Sequence, residues 1–260
     1  MPHLQLRDGS IHYRLDGPEG APVVIFSNSL GSDFSMWDPQ AVALANEFRV
    51  LRYDGRGQGA SSVPPGPYSI EMMGRDVLAV LDALGLDRVS FCGLSMGGMV
   101  GMWLGQRASD RIHKLVLANT SAKFGTLGMW KERMEAVERE GMIAVVDATL
   151  DRWFTPRFHA SAPDQVGRIR NMLLRAPVAG FLGACAALRD GDHRRLISRI
   201  ALPALVIAGS YDPATTPADG RFVAENIAGA RYMELDAAHL SNIERSAEFT
   251  EAVRSFLGGE

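Results

Sequence analysis

Short apolar runs bounded by Gly, Pro and Asp recur along the chain. They are PVVIFSN (22–28), FRVLRYD (48–54), RVSFCG (88–93), KLVLANT (114–120), PALVIAGS (203–210) and ARYMELD (230–236). Runs that stay apolar at successive positions suit strands covered on both faces, as in a parallel sheet. An earlier run, SIHYRLDG (10–17), predicts a strand with a glycine turn after it. Between the runs the apolar spacing turns helical. SIEMMGRDVLAVLDALG (69–85) opens on a serine cap with Glu71 behind it and stops at Gly85. Helices are also predicted over 97–109, 219–229 and 246–259. Strand–helix alternation of this kind predicts an α/β protein with a mostly parallel sheet.

One region breaks the alternation. From about 121 to 199 the pattern is helical throughout, and TLGMWKERMEAVEREG, MIAVVDATLDRWF, APDQVGRIRNMLLRA and VAGFLGACAALRDGD predict four helices. A helical block between two sheet strands is expected to sit over one edge of the sheet as a cap. The predicted division is therefore a core of 1–121 and 199–260, with 122–198 as the inserted cap.

Bulk properties narrow the classes. The chain has 260 residues, 47% hydrophobic and 22% charged, as a globular protein has, with net charge −3. No long basic run or basic helix face appears, so neither nucleic acid nor a membrane surface is expected as a partner. The N-terminal stretch lacks a basic segment followed by an apolar core, so no signal peptide is expected. No 18-residue apolar segment suggests a transmembrane helix. Cys92 and Cys185 make neither a disulfide framework nor a metal-ligand spacing. Cys92 reads as a buried small hydrophobe, Cys185 as a free thiol, and a reducing cytoplasm as the compartment. No metal and no cofactor are expected: there is no ligand cluster, no G-x-G-x-x-G after a strand and no P-loop.

The chemistry centres on FCGLSMGG (91–98). Strand, Gly-x-Ser-x-Gly, helix is the arrangement of a nucleophile elbow, which presents Ser95 at the amino end of the following helix. A serine hydroxyl needs a base. Of six histidines, His239 follows the last strand, on a loop at the carboxyl end of the sheet, where Ser95 is also expected. His3 is terminal, His12 and His113 read as structural, and His159 and His193 read as solvated. The base needs an acid to fix its tautomer. Asp212, just after the second-to-last strand, completes the chain order Ser, Asp, His. Asp236 lies too near His239 in sequence, and the strand after the nucleophile helix ends in Asn119, which is not acidic. Backbone N–H groups of Leu30 and Met96 are expected to form the oxyanion hole.

These residues carry a resemblance. The chain resembles the α/β-hydrolase superfamily over nearly its whole length, and within it the 3-oxoadipate enol-lactonases. The stretches concerned are FSNSLGSDFSMWDPQ, LRYDGRGQGASS, GPYSIEMMGRDV, FCGLSMGGMVG and ELDAAHLSNIE. Asn28-Ser29 stands where most hydrolases of this fold have His-Gly, as in the enol-lactonases. Gln58 departs from the usual histidine of a loop-shaping motif. The resemblance places Ser95, Asp212 and His239 on the family's triad positions and Leu30 and Met96 on its oxyanion positions. It implies the opening of a carboxylated enol lactone to 3-oxoadipate through an acyl-enzyme, in the β-ketoadipate route of aromatic (protocatechuate and catechol) degradation. The implied partner is thus a small-molecule lactone, and the implied assembly a monomer or weak homo-oligomer.

A dianionic product calls for cations near the site. Trp130 and Arg133 lie one helical turn apart and can face one way. Trp130 is expected as a pocket wall, with Arg133 or Arg152 meeting the substrate carboxylate. The alternative is that Trp130 packs the cap and Arg133 is solvated. Met36, Met96, Met99, Met102, Met129 and Met134 suit either an adaptable apolar pocket or core packing. Two other functions remain open on sequence. One is a different serine hydrolase of the same fold: a carboxylesterase, a C–C bond hydrolase or a perhydrolase. The other is a non-catalytic ligand receptor. Turnover on enol lactone against an aryl ester separates them.

Overall fold

The computed structural model describes residues 2–259. Its eight strands are β1 (His3–Leu6), β2 (Gly9–Asp16), β3 (Val23–Ser27), β4 (Arg49–Tyr53), β5 (Val89–Leu94), β6 (Ile112–Ala118), β7 (Ala204–Gly209) and β8 (Arg231–Leu235). They form one sheet in the order β1-β2-β4-β3-β5-β6-β7-β8. From β4 to β8 every pairing is parallel, and β1 and β2 add an antiparallel edge. Burial follows position. All of β7 is buried, whereas the edge strand β1 alternates exposed and half-buried residues. That alternation over four residues is too short a signal to read in advance, which is why β1 was not expected.

The helices are α1 (Asp38–Leu44), α2 (Ile70–Ala83), α3 (Met96–Arg107), α4 (Leu127–Glu140), α5 (Ile143–Trp153), α6 (Pro156–Ser161), α7 (Pro163–Leu174), α8 (Val178–Asp190), α9 (Pro217–Glu225), α10 (Ser241–Glu244) and α11 (Ser246–Gly258). Ser69 caps α2, its side chain accepting from the Met72 amide. α9 starts two residues ahead of the expected helix. Pro217 takes its first turn, and Thr216 and Asp219 close a reciprocal capping box before it. Helix α3 packs on β5 and β6, α2 on α3, and α1 on α11. Fully buried Phe26, Phe91 and Phe249 fill the layers between, each contributing roughly 1.5–3 kcal/mol of apolar burial.

Helices α4 to α8 all fall between β6 and β7. Five replace the four expected, because Thr155 and Pro156 start the extra short helix α6. α4 packs on α8 and α5, and α7 on α5 and α6. Among the described residues no single helix is long and apolar enough to cross a membrane. No group of three or more metal-ligating side chains converges there either.

Candidate active site

One residue, Ser95, separates the last residue of β5 from the first of α3, so the chain reverses within a single peptide step. Ser95 has φ 59° and ψ −114°, a conformation side-chain-bearing residues rarely adopt and one that must be held by its surroundings. The flanking glycines are what permit it. A Cβ on Gly93 would lie 2.1 Å from the carbonyl oxygen of Gly97, and one on Gly97 would lie 2.2 Å from that of Ser27.

The first turn of α3 then commits its amides unequally. Gly97 N–H donates to the Asn28 carbonyl at 3.0 Å, and Gly98 and Met99 donate to that of Ser95 at 2.9 and 3.2 Å. The Met96 N–H has no acceptor among the described residues, at the end of the helix where anions are favoured. Nor has the Leu30 N–H, on the loop after β3. That loop is pinned from several sides. Asn28 Nδ2 donates to the Tyr53 carbonyl at 3.0 Å and its Oδ1 accepts from Trp37 Nε1 at 3.1 Å. Gln58 Nε2 donates 2.7 Å to the Ser29 carbonyl. The residue read only as part of a loop-shaping motif thus holds the carbonyl next to Leu30.

His239, Asp212 and Ser95 are all buried. His239 Nδ1 lies 2.8 Å from Asp212 Oδ2. Facing a carboxylate, Nδ1 carries the proton, which leaves Nε2 as the basic nitrogen. Asp212 is surrounded by donors. Its Oδ2 also accepts from Asn119 Nδ2 at 3.0 Å and Thr215 Oγ1 at 2.6 Å, and its Oδ1 from the Ala214 and Thr215 amides at 2.8 and 3.0 Å. Burial pushes the Asp212 carboxyl up. The imidazole beside it and the hydrogen bonds from His239 and Thr215 outweigh burial and hold it below the ordinary value. Asp236 turns away and pairs with Arg157 and Arg245.

A cavity of about 470 Å³ joins these parts. Ser95, His239 and Leu30 line it from the core, and Trp130, Arg133, Arg152 and Trp153 from the helices α4 and α5. Every residue expected at the site therefore borders this space except Met96 and Asp212, which sit behind Ser95 and His239. Trp130 is both wall and packing: it is 3% exposed and its Nε1 donates to the Phe124 carbonyl at 3.1 Å.

Arg133 is half-buried rather than freely solvated. Its guanidinium lies 5.4 Å from the Phe181 ring centre and 6.0 Å from that of Trp130. It donates 2.9 Å to Thr149 Oγ1, while its buried Nε has no partner. Arg152 donates to the same Thr149 oxygen at 3.3 Å. Neither arginine forms an ion pair among the described residues. Burial, with the Arg152 charge nearby, pushes Arg133 down to about 10, and burial also lowers Arg152.

Two readings need correction. His193 is buried rather than solvated; its Nδ1 lies 3.1 Å from the Gln106 side chain, and burial pushes it down to about 4. His159 is half-buried, with Nε2 3.2 Å from the Leu150 carbonyl. Of the methionines, only Met129 borders the cavity; Met36, Met96, Met99 and Met102 are core. Trp153 was missed. Its ring stacks on the His239 imidazole, centres 6.2 Å apart at 28°. A tryptophan at the apolar end of α5 carries no sequence mark that separates it from ordinary packing.

Comparison with known proteins bears on this site. Residues 22–246 match the α/β hydrolase fold family. The chain is 39% identical to 3-oxoadipate enol-lactonase 2 of Acinetobacter baylyi, covering 98% of this chain and 95% of that protein. The crystal structure of the enol-lactonase from Burkholderia xenovorans superposes with a TM-score of 0.97 at 46% identity, covering 99% of this chain and 100% of that one. A Pseudomonas aeruginosa hydrolase superposes at 0.96 with 48% identity, over 99% of this chain and 98% of that one. The chain belongs to the α/β-hydrolase family and, within it, to the 3-oxoadipate enol-lactonases.

Proposed function

We propose that this chain hydrolyses 3-oxoadipate enol-lactone through an acyl-enzyme on Ser95. His239 Nε2 takes the Ser95 proton as Oγ attacks the lactone carbonyl, and the oxyanion settles between the Leu30 and Met96 amides. Collapse breaks the ring C–O bond. The leaving enolate takes the proton from His239, and the resulting enol becomes a ketone. Water, losing a proton to His239, attacks the acyl-enzyme, and 3-oxoadipate departs with Ser95 restored. Asp212 stays ionised throughout and stabilises the imidazolium. Segment 122–198 is the cap that walls this cavity, and the product places the enzyme in the β-ketoadipate route of aromatic degradation.

The observation that carries the reading is the coexistence, in one cavity, of Ser95 and His239 with two guanidiniums that form no ion pair among the described residues and share only the Thr149 hydroxyl. An esterase for neutral esters gains nothing from two half-buried guanidiniums held without an ion pair, which are costly to keep. A carboxylated lactone supplies the missing charge.

The test is steady-state turnover of 3-oxoadipate enol-lactone beside p-nitrophenyl acetate. The reading expects a clear preference in kcat/KM for the lactone. It also expects KM for the lactone to rise about 10-fold or more in Arg133→Ala or Arg152→Ala, the scale of a lost charge-assisted hydrogen bond. Equal use of the two substrates, or unchanged KM in both variants, points instead to a general carboxylesterase.

A further inference from the structure

Two like-charged guanidiniums repel, yet Arg133 and Arg152 converge on one atom. That atom is Oγ1 of Thr149, on α5, itself 2% exposed. A threonine hydroxyl oxygen has two lone pairs, one for each donor. Arg133 reaches it from α4 across the interhelical gap, and Arg152 from the next turn of α5. The Arg133 Nε remains buried with no partner, so this group still has a hydrogen bond to give. Aromatic faces of Phe181 and Trp130 flank Arg133 and offer no hydrogen-bond acceptor of carboxylate strength.

We infer that Thr149 is a positioning residue: its hydroxyl holds Arg133 and Arg152 side by side, and only that spacing makes them one receptor for a carboxylate. This rests on the reading that the cavity accepts a carboxylated acyl group. Among the described residues Thr149 does not line the cavity and makes no hydrogen bond to Ser95, Asp212 or His239. Its effect is therefore on selectivity for the charged arm, not on the chemistry at Ser95. A methyl in place of the hydroxyl keeps the shape but removes the acceptor. The guanidiniums then separate under their own repulsion, and a carboxylate meets one at a time.

The experiment uses the purified full chain and inhibition of p-nitrophenyl acetate hydrolysis by adipate, with dimethyl adipate as the uncharged control. In the wild type, adipate inhibits competitively and the diester far less. In Thr149→Val the adipate Ki rises about tenfold, as expected for a charge-assisted site that has lost its geometry. Thr149→Ser, which keeps the oxygen, returns Ki to within about threefold of wild type. As a second readout, adipate raises the Tm of the wild type and of Thr149→Ser more than that of Thr149→Val. An adipate Ki in Thr149→Val equal to wild type overturns the inference, as does loss of affinity for the diester equal to that for adipate. Failure of enol-lactone turnover would instead sink the substrate reading, and the adipate series reads Thr149 independently of it.

Discussion

A carboxyl group as deeply buried as that of Asp212 would ordinarily hold a proton, and its neighbours prevent this. Asn119 donates one of the hydrogen bonds that reach it. It leaves β6 with φ 42°, a left-handed turn. From there its Nδ2 reaches both Asp212 Oδ2 and the Ala238 carbonyl, while Ser241 Oγ donates to its Oδ1. One amide thus ties the acid to the Ala238 carbonyl on one side of His239 and to the Ser241 hydroxyl on the other. Because the Asp212 value is depressed in the fold, its ionised contacts stabilise above the ordinary carboxyl range. That stability is lost as pH falls through the folded value. Asn119→Ala removes a donor and raises the folded value. The acid-unfolding midpoint, followed by circular dichroism, should move to higher pH, and kcat should fall about tenfold. An unmoved midpoint contradicts this. Gly97 makes a sharper case. The Cβ of Gly97→Ala would need the 2.2 Å gap to Ser27 to open. Esterase activity should vanish, and stability should drop by about 2 kcal/mol or more in urea titration. These glycines and Ser95 were legible in the sequence because a motif and a strand–helix boundary coincide there. The role of Asn119 was not, since reading it as merely non-acidic says nothing about the amide it offers to the acid next door.

The link between α5 and the histidine loop belongs to the elements. Leu240 N–H donates to the Trp153 carbonyl at 3.0 Å. Glu244 Oε2, on α10, accepts from the Ala238 and Thr155 amides at 3.0 and 3.2 Å. With Trp153 stacked on the imidazole, the end of α5 and the loop carrying His239 form one joined unit. Glu244→Ala should therefore lower kcat for both lactone and aryl ester, whereas Arg133→Ala acts on the lactone KM alone. Equal effects of Glu244→Ala and wild type on kcat would break that link. The other end of the inserted helices returns to the core at His193. Its amide donates to the Ala122 carbonyl at 2.8 Å and its ring meets Gln106 of α3. Burial lowers His193 from 6.5 to about 4, so the folded state keeps it neutral. Its contribution is intact above the unfolded value of 6.5 and is lost as pH falls toward 4, with a slope of up to about 1.4 kcal/mol per pH unit. Urea unfolding across that range should show the slope in the wild type and a flatter one in His193→Gln. Sequence context, polar on both sides, misread this residue as solvated; polar neighbours in the chain do not say which way one ring turns.

At the scale of the whole molecule, the central strands β3 to β7 were legible because a strand covered on both faces must be apolar throughout, while the half-buried β2 and β8 were marked by the turn residues that bound them. The edge strand β1, half-exposed, lacks that mark. The convergence of Ser95, Asp212 and His239 was readable for a related reason: at the carboxyl ends of parallel strands, loops far apart in sequence are forced together. What chain order could not supply was the cap's inner surface. Thr149, Trp153 and the burial of Arg133 arise from how α4, α5 and α8 pack, and their sequence periods fit several packings. The account as a whole stands on Ser95 opening a carboxylated lactone in that cavity. It is tested most directly by kcat/KM for 3-oxoadipate enol-lactone in wild type and Ser95→Ala. Efficient wild-type turnover with a loss on the order of 10⁵-fold in the variant is predicted. A variant within tenfold of wild type, or a wild type that leaves the lactone intact, would contradict it.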